Sequence, residues 1–266
     1  GVHLAGGQIY GMPLLAENGF LPIFANIPVP VLAQAKLMVL SYPHNPTTAI
    51  ASLEFFHTAV QFCQEHNLVL VHDFPYVDFV FDRSIPPSIL QADRERSVSI
   101  EFFTMSKSYN MGGFRIGFAV GNRDLISALR QIKAVVDFNQ YRGIMRGAIA
   151  ALEGDQTTVK QSADLFQQRR DAMVAALNDI GWYVSTPEAT MYLWAKLPEP
   201  WSNNSIKFCI DLVQATGMAL APGSGFGKHG EGYVRFALVH EPDVLRLAAQ
   251  KIGEFLAKNQ EDFLQP

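Results

Sequence analysis

Along the first 120 residues, short apolar runs alternate with segments whose apolar positions recur every three or four residues. Lys36-Leu-Met-Val-Leu-Ser41 is one such run, and it ends at the turn-rich Pro43-His-Asn-Pro-Thr47. Leu53, Phe56, Val60 and Cys63 then repeat at helical spacing between Ser52 and Glu65, and the strand-like Leu68-Val-Leu-Val-His72 follows. Ser97–Phe103 and Ile116–Val120 read as two further strands and as a second unit of the same kind. Continuous apolar strands separated by amphipathic helices predict an α/β architecture, a mainly parallel sheet covered on both faces.

After Gly121 the period becomes helical. Asp124–Val136 and Asp155–Asp179 are predicted helices, the second long enough to join two bodies. Trp182-Tyr-Val-Ser185 and Met191-Tyr-Leu-Trp-Ala195 read as strands, Asn204–Thr216 as a helix, Tyr233–Val239 as a strand and Asp243–Lys258 as a closing helix. This half predicts a smaller α+β domain. The boundary falls inside the long helix, giving a large domain over 1–160 and a small one over 161–266. There is no internal repeat.

Composition narrows the function classes. The 266 residues, 48% of them hydrophobic, suffice for one large or two ordinary domains with a core that needs no disulfide or metal. Lys and Arg number 21 against 25 Asp and Glu, a net charge of -4, so there is no basic footprint for nucleic acid or an anionic membrane surface. With 19 Phe, 3 Trp and 8 Tyr the chain is not a disordered polymer. Cys63 and Cys209 stand alone, outside any C-x-x-C pair, and read as buried small hydrophobes, a usage that suits a cytoplasmic protein. No uncharged apolar stretch reaches the ~20 residues that span a bilayer. The opening Gly1-Val-His-Leu-Ala-Gly-Gly7 has neither the basic start nor the apolar centre of a signal peptide.

The densest chemical signal is Thr104-Met-Ser-Lys-Ser-Tyr-Asn-Met-Gly-Gly-Phe-Arg-Ile-Gly117, directly after a predicted strand. A lysine closely flanked by hydroxyls suits a Schiff-base nucleophile. Hydroxyls with an arginine suit a phosphate, through neutral donors plus a planar cationic fork. By itself Lys107 reads as a surface lysine on a polar loop. Asn45-Pro46-Thr47 and His72-Asp73-Phe-Pro-Tyr76 also lie at carboxyl ends of predicted strands, where open α/β sheets place ligands. A carboxylate there can hold a protonated ring nitrogen, while a phenol and an amide can hold a phenolate oxygen. Singly, Asn-Pro is a turn signal, Asp73 a helix cap and Tyr76 a half-buried aromatic. Gly225-Phe-Gly227-Lys-His-Gly230 fits G-x-G-x-x-G, but the segment after it reads as a strand, whereas a dinucleotide fingerprint opens a helix. It is read as a glycine loop. The seven histidines form no H-x-x-x-H or H-E-x-x-H pattern, so no metal site is expected.

Taken together and in this order, the segments define a pattern. Tyr42-Pro-His-Asn45-Pro-Thr, Asp73-Phe-Pro-Tyr76, Thr104-Met-Ser-Lys107, Arg115-Ile-Gly and Tyr233-Val-Arg235-Phe resemble the fold-type-I, pyridoxal-phosphate-dependent class I and II aminotransferases. Within that family the text is most similar to the LL-diaminopimelate aminotransferase branch, and the likeness runs from Leu4-Ala-Gly-Gly to the final helix. The resemblance implies pyridoxal 5'-phosphate as cofactor, with Lys107 as its covalent anchor and later the carrier of the Cα proton. It implies Asp73 on the pyridinium nitrogen, Asn45 and Tyr76 on the ring oxygen, and Thr104, Ser106 and Arg115 on the phosphate. Arg235 is implied for the substrate α-carboxylate. Thr104 stands where the family more often has serine and keeps the hydroxyl. An X-Pro bond is the one kind that is readily cis, and the Asn45–Pro46 bond is expected to be so.

The implied reaction moves an amino group between an amino acid and a 2-oxo acid, in a cytoplasmic homodimer with no nucleic-acid or membrane partner. A lyase, racemase or decarboxylase on the same scaffold, or a truncated chain with weak or no catalysis, remain the alternatives. The resemblance also places Gly1 past the family's N-terminal arm, its phosphate-cradling turn and helix start, and its ring-stacking aromatic. Weak cofactor binding and little turnover by these 266 residues alone are therefore the expectation.

Overall fold

Four of the apolar runs form one sheet. The computed structural model describes residues 1–82 and 84–263. A short helical turn, α1 (Val29–Leu32), leads into β1 (Leu37–Ser41), α2 (Leu53–Glu65), β2 (Val69–Asp73), the turn α3 (Ile89–Ala92), β3 (Ser99–Thr104) and β4 (Gly117–Gly121). The sheet order is β1-β2-β3-β4. β1, β2 and β3 are parallel, with Leu37 opposite Val69 and Leu70 opposite Ser99.

α2 begins at Ser52, whose hydroxyl accepts the Phe55 N–H at 3.1 Å. Satisfying one free N–H in this way is worth about 1 kcal/mol. The helix turns Phe56, Ala59, Val60 and Cys63 inward onto a core that includes Met38, Leu40 and Leu70. Phe24, upstream of the sheet, closes that cluster by packing on Phe55 and Phe62 with ring centroids 5.3 Å apart in both pairs.

The expected second parallel unit is corrected by the structure. β4 runs antiparallel to β3, pairing Ile100 with Gly121 and Thr104 with Gly117. Residues 105–116 form turns and a single 3-10 turn at Gly112–Phe114, so no helix is available to carry the chain across for a parallel return. Gly117 makes the tight pairing possible, because a Cβ there would meet the Phe103 carbonyl oxygen at 2.4 Å.

The chain continues through α4 (Arg123–Val136), α5 (Arg142–Glu153) and α6 (Thr157–Asp179). Next come β5 (Tyr192–Lys196), α7 (Ser205–Thr216), β6 (Ala221–Pro222), β7 (Tyr233–Ala237) and α8 (Pro242–Phe263). The second sheet is antiparallel in the order β5-β7-β6. Met173, Leu177, Leu193, Phe208, Phe236 and Ile252 fill the core between this sheet and α6, α7 and α8. The structure departs from the sequence expectations at two places here. α5 has no counterpart in them. Trp182–Ser185 joins no sheet: Trp182 is buried and donates its indole N–H to the Lys196 carbonyl at 2.8 Å, while Tyr183 points to solvent. β6 is only two residues long.

The two buried clusters lie on either side of residue 160, one spanning Phe24 to Ile89 and the other Met173 to Leu256. A boundary near the first turn of α6 is the division we propose. A strap joins the two bodies. Phe81 N–H donates to the Glu188 carbonyl at 2.9 Å, and Thr190 N–H to the Phe79 carbonyl at 2.7 Å. Beneath it the buried Arg170 donates to Asp82 at 2.6 Å and to the Pro187 carbonyl at 2.9 Å. Cys63 and Cys209 are both free and buried.

Candidate active site

Parallel strands bring their carboxyl ends to one edge of the sheet, and the expected site residues leave from that edge. Beyond β1 the chain turns through Tyr42–Thr48, where the Tyr42–Pro43 and Asn45–Pro46 bonds are both cis. Asn45 Oδ1 accepts a hydrogen bond from Arg235 Nη1 at 2.8 Å, across 190 residues of sequence. A guanidinium can only donate, so the oxygen of Asn45 faces Arg235 and its NH2 donors point elsewhere.

At the end of β2, pleating sends adjacent side chains to opposite faces. His72 goes into the core and Asp73 stays solvent-accessible at the edge. Surrounding protein desolvates the Asp73 carboxyl and raises its pKa above the ordinary carboxylate value, with His72 opposing the shift. Tyr76 is buried, and its hydroxyl donates to that of Tyr192 at 3.4 Å. Burial first, and then that hydrogen bond, push the Tyr76 phenol well above its usual range.

Lys107 lies in the turn after β3, half-buried. Its Nζ is 3.8 Å from Met191 Sδ and 5.7 Å from the centre of the Tyr76 ring. Among the described residues it has no carboxylate partner, and its amine is surrounded by a thioether and a phenol ring. Thr104 and Ser106 close a small hydroxyl turn: Thr104 Oγ1 donates to Ser106 Oγ at 2.9 Å and accepts the Ser106 N–H at 3.1 Å. Arg115 is exposed, in a left-handed conformation with φ 52°, and is tied back to the Gly112 carbonyl at 2.9 Å.

The second body supplies the opposite wall. Arg235 on β7 lies between two rings, its Cζ 4.2 Å from the Tyr192 centroid and 4.7 Å from that of Phe226. Its Nε is buried without a hydrogen-bond partner among the described residues. Direct contacts therefore link Asn45 to Arg235, and Tyr76 to Lys107. Asp73, Thr104, Ser106 and Arg115 sit along the same edge without side-chain hydrogen bonds to those four. Sequence reasoning passed over Tyr192, Met191 and Phe226. Tyr192 and Met191 read as the start of an ordinary strand, and Phe226 as filler in the glycine loop. The one available signal was the place of Phe226 between Gly225 and Gly227; Tyr192 and Met191 carried none.

This donor set fits pyridoxal 5'-phosphate. An amine without a counter-ion among the described residues, an accessible carboxylate held above its usual range, a buried phenol and a hydroxyl pair each match one group of that molecule, and the incompletely satisfied Arg235 guanidinium is left for a carboxylate beside it. Among the described residues, no cluster of three His, Cys, Asp or Glu side chains is placed to hold a metal ion, and no helix is long and apolar enough to cross a membrane.

Fold and site together define a member of the pyridoxal-phosphate aminotransferases of fold type I. Residues 1–252 match the family model for aminotransferase class I and II, and the chain belongs to that family. It is 44% identical over 253 residues to an LL-diaminopimelate aminotransferase of Dehalococcoides mccartyi, covering 95% of this chain and 65% of that protein. It is 41% identical to the glutamate-pyruvate aminotransferase AlaC of Escherichia coli, covering 95% of this chain and 61% of that one. Among solved structures, a probable N-succinyldiaminopimelate aminotransferase from Thermus thermophilus superposes with a TM-score of 0.87 at 38% identity, over 96% of this chain and 67% of that one. The chain thus spans about 65% of the length of the first of these relatives.

Proposed function

We propose that the chain takes part in transferring an amino group between an L-amino acid and a 2-oxo acid with pyridoxal 5'-phosphate. The observation that carries this is the contact set Asn45–Arg235 and Tyr76–Lys107, which puts an amine, a phenol, an amide and a guanidinium at one sheet edge. When bound, the cofactor supplies an electron sink for the negative charge left at the substrate Cα. The protein's residues do the rest. Lys107 Nζ is the covalent anchor and, once released, moves a proton at the substrate Cα. Asp73 holds the proton on the ring nitrogen, and its accessible edge position leaves the carboxylate free to do so. Asn45 and Tyr76 donate to the ring oxygen, while Thr104, Ser106 and Arg115 bind the phosphate.

Arg235 grips the α-carboxylate and so fixes which Cα bond stands upright on the ring. Its fork is held by Asn45 and by the two flanking rings, so little orientation is lost on binding. The donor we propose is a diaminopimelate-type amino acid, after the relatives named above; the working assembly is a homodimer in the cytoplasm.

Borohydride reduction of the cofactor-treated protein followed by peptide mapping tests the anchor. The pyridoxyl adduct is expected on Lys107 and is lost in Lys107→Ala with the circular dichroism spectrum unchanged. An adduct on Lys36 or Lys133 overturns the assignment. Adding amino donors one at a time then reads the reaction class, since a transaminase converts the cofactor to its amine form and a lyase or decarboxylase does not.

A further inference from the structure

Tyr192 touches both halves of the site. It opens β5, opposite Ala237 on β7, so Arg235 is its diagonal neighbour on the same face of the sheet. Its ring lies 4.2 Å from the Arg235 Cζ, with Phe226 on the guanidinium at 4.7 Å. Its hydroxyl is 3.4 Å from that of Tyr76, and the two rings meet edge to face at 6.0 Å. Its backbone is pinned as well, because its N–H donates to Thr190 Oγ1 at 3.2 Å. No other side chain described at the site contacts both the cofactor-facing phenol and the carboxylate-facing arginine.

We propose that Tyr192 is a positioning residue with two separable tasks: its ring holds the Arg235 fork in place for a substrate carboxylate, and its hydroxyl acts through Tyr76 on the proton shared by Lys107 and the cofactor. The inference rests on the function proposed above. A phenol has one proton and can also accept. When Tyr76 gives its proton to the cofactor's ring oxygen, its own oxygen becomes an acceptor, and the Tyr192 hydroxyl is the donor within reach. Each bond in such a chain polarises the next. The stronger the donation to the ring oxygen, the less negative charge is left there to retain the proton on the Lys107 nitrogen. The charged and titratable groups facing Tyr76 are Lys107, Arg235, Asp73 and Tyr192. Of these only Tyr192 can lose its hydrogen-bonding group without a change of charge.

Two substitutions separate the tasks. Tyr192→Phe keeps the ring on Arg235 and removes the hydroxyl; Tyr192→Leu removes both. The first readout is the pH midpoint of the visible absorbance of the cofactor-loaded protein. The second is its affinity for 2-methylalanine, an amino acid without a Cα hydrogen. Phe is expected to raise the midpoint by several tenths of a pH unit and leave the affinity unchanged. Leu is expected to raise the midpoint equally and weaken 2-methylalanine binding by roughly 3- to 30-fold, the range of a partly desolvated cation–π contact. A midpoint unchanged in Tyr192→Phe overturns the hydroxyl task, and an affinity unchanged in Tyr192→Leu overturns the ring task. Parallel losses of both in the two variants, tracking their melting temperatures, mean a merely structural role. Absence of any visible band in the unmutated protein overturns the functional reading and this inference with it.

Discussion

Glu101 offers the sharpest test of how the N-terminal body is held together. The side chain is fully buried on β3 and gathers three donors. Its Oε1 accepts from His72 Nδ1 at 2.7 Å and from the Ile89 N–H at 2.9 Å, and its Oε2 accepts from Ser88 Oγ at 2.5 Å. The same His72 accepts the Tyr42 N–H on its Nε2 at 3.2 Å, which extends the network to the turn carrying Asn45. Glu101→Ala leaves all three donors without an acceptor in a dry site. Each stranded donor costs about 1–3 kcal/mol. Relaxation of the network brings the total to about 3–5 kcal/mol, the lower part of the sum for three stranded donors. Out of a total stability of about 5–15 kcal/mol that is a large share. Glu101→Gln keeps the volume and one acceptor oxygen, and is expected to cost roughly half as much.

Urea unfolding followed by circular dichroism measures both variants. Tryptophan fluorescence serves as an internal control, because Trp182 and Trp201 pack into the C-terminal core and Trp194 stacks on Tyr233 of the same body. The dichroism midpoint is expected to fall further than the fluorescence midpoint. A loss below about 1 kcal/mol in Glu101→Ala, or equal losses in Ala and Gln, would refute the network as a source of stability.

Two other outcomes follow from the Tyr42–Thr48 turn. Thr48 is buried at φ 65°, a left-handed conformation that burdens any residue with a Cβ by about 1–2 kcal/mol. Thr48→Gly is therefore expected to be more stable than Thr48→Ala by about 1 kcal/mol in a thermal melt, the reverse of their order at ordinary positions; Ala equal to or above Gly refutes the strain. Burial lowers the His44 pKa from 6.5 to about 4, and its Nδ1 is paired with Thr47 Oγ1 at 2.7 Å. Between those values the unfolded chain takes up a proton that the folded chain refuses, so this contribution is complete above pH 6.5 and is lost as the pH falls towards 4. The loss is on the order of 1–2 kcal/mol by pH 5. His44→Asn should remove that part of the pH dependence, and urea midpoints at pH 7.5 and 5 that fall equally in both proteins would count against it.

The sheet strands were legible as continuous apolar runs and α2 by its 3.6-residue period, but the cover expected on both faces of the sheet is not met, since Leu37 and Val39 of β1 are exposed while Met38 and Leu40 are buried. α5 was not legible, because Gly143 and Gly147 inside it and Gly154 directly after it read as turn residues with low helix propensity. The direction of β4 was hidden for another reason. Strand direction depends on the connection, and residues 105–116 are given over to the turn that presents Lys107. At the candidate site, Asn45, Asp73, Tyr76, Lys107 and Arg235 were singled out by residue type and order. Tyr192 did not, since a tyrosine opening a strand is ordinary until its ring is seen against Arg235 and its hydroxyl against Tyr76. Trp182–Ser185 misled because two aromatics beside a valine have strand propensity, yet that stretch pairs with no neighbouring strand.

The bond between Asn45 and Arg235 joins positions 190 residues apart. A ribosome adding about 5–20 residues per second needs roughly 10–40 s to travel that distance. During that interval the first body can close around α2 while its amide still lacks the guanidinium that will turn it. Tyr76 likewise waits for Tyr192, 116 residues later. Assembly of the candidate site is thus a late event in the birth of the molecule, governed by translation of the segment that carries Tyr192 and Arg235 and by the docking of two bodies that mature at different times.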